Sequence, residues 1–442
     1  MHTSADVHQG RAHRVDRLRE LRYHHKLIFS VLIVFGILAA IVLFAKDREV
    51  LQIVSEYDAG DPHFPDYIAA LAGVQTSAGN RFEILDNGDR FFPPMLAAIG
   101  DARALVDLET YIYEKGRVGD EFTAALIAAA RRGVTVNLVV DAVGSKKMPR
   151  SQWNRLRDAG VHVGDFGALT WYKLQQVNYR THRKLLVVDG RVGFVGGAGI
   201  ADHWLGDAQD PQHWRDMMVR IEGPLVSLLE GAFNVNFVST IRPVEPVVHP
   251  VRQIDASTPR DSAILVRSSA NGGSNDLKRV YMIAIAAARH TLDICSPYFL
   301  TDRSSRWALA QAVQRGVRIR VLVEGDQTDA RIVKFASRAA YEGLLAEGVQ
   351  IYEYQPTMMH TKTMIVDEVW SMFGSANFDN RSLELNDELN VAAADRRLSE
   401  QLTRDFERDL KSSKRLNYDD WRHRAPLEKI REQFWSYFGE IF

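Results

Sequence analysis

The chain has a single cysteine, Cys295, in 442 residues, so no internal disulfide braces the fold and stability must come from a buried core. Prolines are few and gather in TIRPVEPVVHPVRQIDASTPRD, residues 240–261, a composition that marks a linker. Surplus charge is missing as well: 55 Lys and Arg stand against 56 Asp and Glu, a net charge of −1. Residues 1–46 hold seven basic and three acidic residues, so the remainder is acidic by five. A nucleic-acid-binding domain normally carries a positive excess, which argues against a nucleic-acid partner. Long apolar runs are absent except for one, LIFSVLIVFGILAAIVLFA at 27–45, nineteen residues without a charge. That length spans a bilayer core as a helix. A signal peptide's apolar core is shorter and precedes a small-residue cleavage site, whereas KDREV follows here.

What the chain does have is a pattern written twice. HRKLLVVDGRVGFVGGAG at 182–199 and HTKTMIVDEVWSMFGSAN at 360–377 each place a histidine, a lysine and an aspartate at H-x-K-x4-D spacing, with a glycine seven residues beyond the aspartate. The residues concerned are His182, Lys184, Asp189 and Gly196, then His360, Lys362, Asp367 and Gly374. In an extended strand alternate residues share a face, so each histidine and its lysine point to one side. A lone H-x-K carries little information; two copies with matching downstream glycines point to a shared site.

The duplication is longer than the motif. DARALVDL at 101–108 aligns without a gap on AARHTLDI at 287–294, and ARRGVTVNLVVD at 130–141 resembles VQRGVRIRVLVE at 313–324. Each half reads as helix, strand, a helix ending at R-G-V, strand, and later the H-x-K strand. The repeat is too long for a solenoid. The predicted fold is α/β: two similar halves packed as a pseudo-dimer, with both histidines and both lysines at one cleft.

This constellation resembles the phospholipase D superfamily, whose signature is H-x-K-x4-D-x6-G-S-x-N in two copies. YIYE at 111, NYRTHRK at 178, WRDMMVRIEGP at 214, SPYF at 296 and GSANFDNRSLELNDE at 374 are most similar to bacterial cardiolipin synthases. The resemblance covers about residues 80–425. It implies phosphatidyl transfer between phospholipids, phosphatidylglycerol among them, through a phosphohistidine and with no cofactor or metal. A phosphodiesterase acting on phospholipid or nucleic acid is the alternative. It also implies His182 as nucleophile and His360 as acid, phosphate contacts from Lys184, Lys362, Gly197, Ser375 and Asn377, and orienting carboxylates at Asp216 and Glu388. Asp189 and Asp367 complete the signature and are expected to be mainly structural. Gly197 and Gly199 stand where the general signature has serine and asparagine.

The expected organisation is a basic cytoplasmic segment at 1–26, a transmembrane helix at 27–45 and a neck at 46–79. The halves follow at 80–240 and 262–425, joined by a linker at 241–261. Six basic residues before position 27 face only Lys46 and Arg48 just beyond position 45. The positive-inside tendency then puts the body across the inner membrane, facing the periplasm or exterior. At 426–442, Leu427, Ile430, Phe434, Phe438 and Ile441 follow helical spacing, and the resulting amphipathic helix is expected to pack on the core or to lie at a lipid interface. WLGDAQDPQHW, 204–214, reads as a loop at the cleft mouth.

Overall fold

A computed structural model describes residues 24–36, 50–167, 179–240, 262–269 and 276–438. The chain divides into two compact units, Met1–Leu51 and Gln52–Phe442. In the first, residues 24–36 are helical with exposed apolar side chains. The expected membrane span at 27–45 therefore lies partly outside the described residues, and among those described no helix is long and apolar enough to cross a membrane. The expected linker at 241–261 also lies outside them.

The described part of the second unit holds two large mixed sheets of matching topology and one small two-stranded parallel sheet. Its strands are β1 (Thr76–Ser77), β2 (Arg81–Asp86), β3 (Leu105–Thr110), β4 (Thr135–Asp141), β5 (His162–Phe166), β6 (Lys184–Val188), β7 (Val192–Gly196), β8 (Met217–Glu222) and β9 (Ala263–Ser268). They continue with β10 (Thr291–Cys295), β11 (Phe299–Leu300), β12 (Arg318–Glu324), β13 (Gln350–Tyr354), β14 (Thr363–Val366), β15 (Trp370–Gly374), β16 (Phe378–Asp379), β17 (Glu388–Ala393) and β18 (Ser413–Arg415). The first sheet runs β2-β8-β7-β6-β3-β4-β5. The second runs β9-β17-β15-β14-β10-β12-β13 in the same pattern, with β1 and β18 added at its edges.

In each half the central strand pairs in parallel with the next, β3 with β4 and β10 with β12, through a helix crossover. Both crossover helices end at the predicted R-G-V, where Gly133 and Gly316 each adopt a φ of 88°. A left-handed residue just past a helix end suits glycine. β3, β6 and β10 read as near-continuous buried runs because both of their faces are covered. Outer faces are covered by helices, as in the cluster of Phe122 and Leu126 with Val106, Leu138 and Leu186. Inner faces meet each other: Leu185, Val187 and Val195 share a core with Ile365, Phe373 and Val391, and Cys295 is buried in that core.

From Gln52 onward the segment expected as a neck belongs structurally to the second half. Phe64 and Ile68 of the helix Phe64–Ala72 sink into that half's core, Phe64 edge-on to Trp370, and β1 pairs with β9.

Candidate active site

Each H-x-K motif enters its hairpin at the same place. Lys184 opens β6, and Lys362 lies one residue before β14. The loops ahead of these strands cross to the other half. His182 N–H donates to the Asp387 carbonyl at 2.9 Å, and His360 N–H donates to the Arg215 carbonyl at 2.7 Å. The next residue in each case is the carboxylate that takes the imidazole. His182 Nδ1 sits 2.9 Å from Glu388 Oε1, and His360 Nδ1 sits 2.7 Å from Asp216 Oδ2. Asp216 and Glu388 are equivalent positions, since Gly196 pairs with Met218 as Gly374 pairs with Asn390. The orienting contacts are therefore crossed, each half fixing the other half's histidine, and with Nδ1 engaged the Nε2 of each ring is left for chemistry.

Lys184 Nζ donates to the His182 carbonyl at 2.7 Å, and Lys362 Nζ donates likewise to the His360 carbonyl. Both lysines and His360 are buried, and His182 nearly so. Burial, opposed chiefly by Glu388, pushes His182 down to about 4. Burial together with the charges of Lys362 and Lys184 also lowers His360, so both imidazoles rest neutral. Burial brings Lys184 down to about 7 and Lys362 to about 8, against the opposing charges of Glu388 and Asp216. Asp216 is raised by burial to about 6, whereas Glu388, although buried, is held below its usual value by His182, Lys184 and the Ser375 hydroxyl.

Not every expected residue reaches the pocket through its side chain. Asp189 and Asp367 sit at the far ends of the motif strands. Asp189 accepts the backbone N–H groups of Arg103, Ala104 and Leu105 at 2.8–2.9 Å. Asp367 accepts those of Arg289, His290 and Thr291 at 2.7–2.8 Å. Ser375 Oγ donates to Glu388 Oε2 at 2.5 Å, and Gly197 N–H donates to the Met217 carbonyl at 3.1 Å, so both groups are engaged within the protein. Asn377 is buried, and its side-chain oxygen has no hydrogen-bond partner among the described residues.

Three aromatic residues that carried no site assignment also pack on the two histidines. Tyr111 lies edge-to-face against His182 at 5.1 Å, with Lys184 Nζ 5.5 Å from its ring centre. Trp204 and Trp214, the two ends of the predicted mouth loop, pack on the His360 ring at 5.5 and 5.4 Å. Trp204 is fully buried, and its Nε1 donates to Asp216 Oδ2 at 2.9 Å. Its only sequence signal was its place at the start of that loop.

Two paired halves with crossed histidine–carboxylate contacts and two lysines at one cleft define a two-motif phospholipase D-type centre. The family description "Cardiolipin synthase, PLD-like domain" matches residues 95–234 and 281–410. Cardiolipin synthase A of Pseudomonas putida (strain GB-1) is 35% identical over 365 residues, covering 81% of this chain and 74% of that one. The probable cardiolipin synthase YwiE of Bacillus subtilis is 30% identical over 402 residues, covering 89% and 79%. The crystal structure of phosphatidylserine synthase from Haemophilus influenzae superposes with a TM-score of 0.67 at 15% identity, over 86% of this chain and all of that one. The chain belongs to the phospholipase D superfamily, in its cardiolipin synthase family.

Proposed function

We propose that this phosphatidyltransferase joins two phospholipids, with phosphatidylglycerol as donor and acceptor. The observation that carries the proposal is the crossed pair of Nδ1–carboxylate contacts, which leaves two Nε2 atoms for one phosphorus. Neutral His182 attacks phosphorus through Nε2 and forms a P–N bond. The P–O bond to the departing glycerol breaks, and that oxygen takes its proton from Nε2 of His360. The phosphodiester anion recharges His360 on binding, because it offsets the lysine charges that hold the proton off. A hydroxyl of the second lipid then returns a proton to His360 and attacks phosphorus, the P–N bond breaks, and cardiolipin leaves. Lys184, Lys362 and Asn377 hold the equatorial oxygens as charge grows on them. One phosphodiester is exchanged for another, so no nucleotide is consumed.

Incubating detergent-solubilised protein with labelled phosphatidylglycerol and resolving the lipids tests this. Cardiolipin and free glycerol are expected, both abolished in His182→Ala and in His360→Ala. Phosphatidic acid as the sole product would make the chain a hydrolase, and cleavage of single-stranded DNA without lipid products would make it a nuclease.

We further propose that residues 27–45 anchor the chain in the inner membrane, with the body on the extracytoplasmic side. The basic excess before residue 27 supports this orientation. A thiol introduced as Asp207→Cys in a Cys295→Ser background should react with an impermeant maleimide in intact spheroplasts. Reaction only after lysis would place the body in the cytoplasm.

A further inference from the structure

The helix Pro426–Ser436 turns one acidic residue inward and exposes an apolar stripe. Leu427, Ile430 and Phe434 form one stripe at 80, 65 and 53% exposure, while the residue turned inward is Glu432, at 2%. Glu432 Oε1 accepts from Arg338 Nε at 3.0 Å and from Arg424 Nη1 at 2.8 Å, so charge pairing helps to seat the helix. Lys429 meets Glu342 at 3.0 Å and Arg431 lies over Phe335 at 4.1 Å, which sets the helix antiparallel to its neighbour Arg331–Ala346. Its C-terminal end thus lies beside the start of that neighbour, where Ile332 is also exposed.

This is also the direction of the active site. Asp329, two residues before Arg331, accepts the Tyr298 hydroxyl, and its charge bears on Lys362. The C-terminal end of the stripe therefore lies on the side of the helix pair nearer the site, where Arg331 and Arg431 are exposed, while the exposed Glu428 lies nearer the helix N-terminus. An apolar ridge edged with cations fits an anionic lipid surface, with side chains among the acyl chains and guanidinium groups at the headgroups. A second copy fits less well. Eleven helical residues span only about 16 Å, and a two-fold contact would bring the same arginines together.

We infer that the Leu427–Ile430–Phe434 stripe, with Ile332, is a bilayer-docking surface that holds the pocket rim against anionic phospholipid, so that a headgroup reaches Lys184 and Lys362 while its acyl chains stay in the membrane. The inference rests on the phospholipid reading of the site. Its test compares the full chain with the triple variant Leu427→Gln, Ile430→Gln, Phe434→Gln on two forms of one substrate. Turnover of phosphatidylglycerol in vesicles is expected to fall at least about tenfold, with a raised apparent KM. Turnover of short-chain phosphatidylglycerol below its micelle concentration should stay unchanged. Equal rates on vesicles, or equal losses on both forms, would overturn the inference. So would a change in oligomeric state that accounts for the vesicle loss. A readout independent of turnover uses a fluorophore on Ile430→Cys in the Cys295→Ser background. In phosphatidylglycerol vesicles it should be quenched by spin-labelled lipid more strongly than the same probe on Glu428→Cys. Quenching without turnover would uphold docking and overturn the transferase reading; equal quenching at both positions would overturn docking.

Discussion

Gly197 and Gly199 depart from Ser375 and Asn377 of the other half, and each departure has a neighbour that explains it. A Cβ on Gly197 would come within 2.3 Å of Asp216 Oδ1, and one on Gly199 within 2.9 Å of the Trp204 ring. In the second half Ser375 supplies a hydroxyl to Glu388. In the first, the glycines open the space through which the Trp204 indole N–H reaches Asp216. Trp204 thus acts as a positioning residue, since Asp216 in turn holds His360. Trp204→Phe keeps the ring and removes the donor, and a hydrogen bond to a charged group contributes about 1.5–3 kcal/mol. We expect kcat to fall roughly 10- to 100-fold with little change in KM. Because that N–H holds Asp216 down, its loss should raise Asp216 further and move the limb of the kcat–pH profile that follows the Asp216–His360 pair. An unmoved profile would reduce Trp204 to packing.

Lysine charge supplies a second prediction at this scale. Lys184 at about 7 and Lys362 at about 8 are protonated below those values and neutral above them. Capture of an anionic phosphodiester by the free enzyme should therefore weaken as pH rises through 7 to 8. Measured kcat/KM is expected to decline across that interval, and Lys184→Arg, whose guanidinium stays charged, should move the fall upward.

Among the elements, the motif hairpins show how one aspartate sets strand register. Asp189 and Asp367 occupy left-handed turns, at φ 52° and 51°, and each carboxylate caps three successive N–H groups leading into β3 or β10. The capped residues, 103–105 and 289–291, are partners in the ungapped alignment of the two halves. Asp367→Ala strands those donors and places alanine in a left-handed turn. It should cost on the order of 3 kcal/mol, visible as a lower denaturation midpoint, while the folded fraction keeps its turnover within about twofold. A large loss of kcat without loss of stability would return Asp367 to the chemistry.

The same elements show what the sequence disclosed and what it hid. The two halves, the R-G-V helix ends and the H-x-K strands follow from short-range spacing, and the structure repeats them with one strand order. Which carboxylate faces which histidine is a contact across 144 or 206 residues, and spacing alone does not encode it. Glu388 and Asp216 came from the family resemblance, and the crossing of their contacts emerged only from the packing. Tyr111 lies in a phrase that carried only the family likeness and Trp204 at the start of the mouth loop, and neither place indicates a contact with a histidine. The C-terminal stripe was legible as an amphipathic helix, but its outward orientation depends on the capture of Glu432 by Arg338, 94 residues away, as well as by the nearby Arg424.

For the molecule as a whole, the crossed site requires both halves to hold one fixed relation, and two features of the packing enforce it. The inner faces of the sheets share a single apolar core. Beside it the buried Arg215 binds Asp86 of the first half at 2.9 Å and Asp409 of the second at 3.0 Å, while its own carbonyl accepts the His360 N–H. Halves joined through a continuous core should unfold together. The unit Gln52–Phe442 is therefore expected to show one denaturation transition in detergent, coincident by tryptophan fluorescence and circular dichroism. Two separated transitions would mean that the halves are independent. Arg215→Met leaves the part-buried Asp86 and the buried Asp409 with only the more exposed Arg408 as cation, a loss of up to about 3 kcal/mol, and should lower the single midpoint without splitting it. Adding Asp86→Asn and Asp409→Asn removes the stranded charges and should recover much of that loss. If the triple variant is no more stable than Arg215→Met, the arginine acts through its packing and not as the ionic tie between the halves.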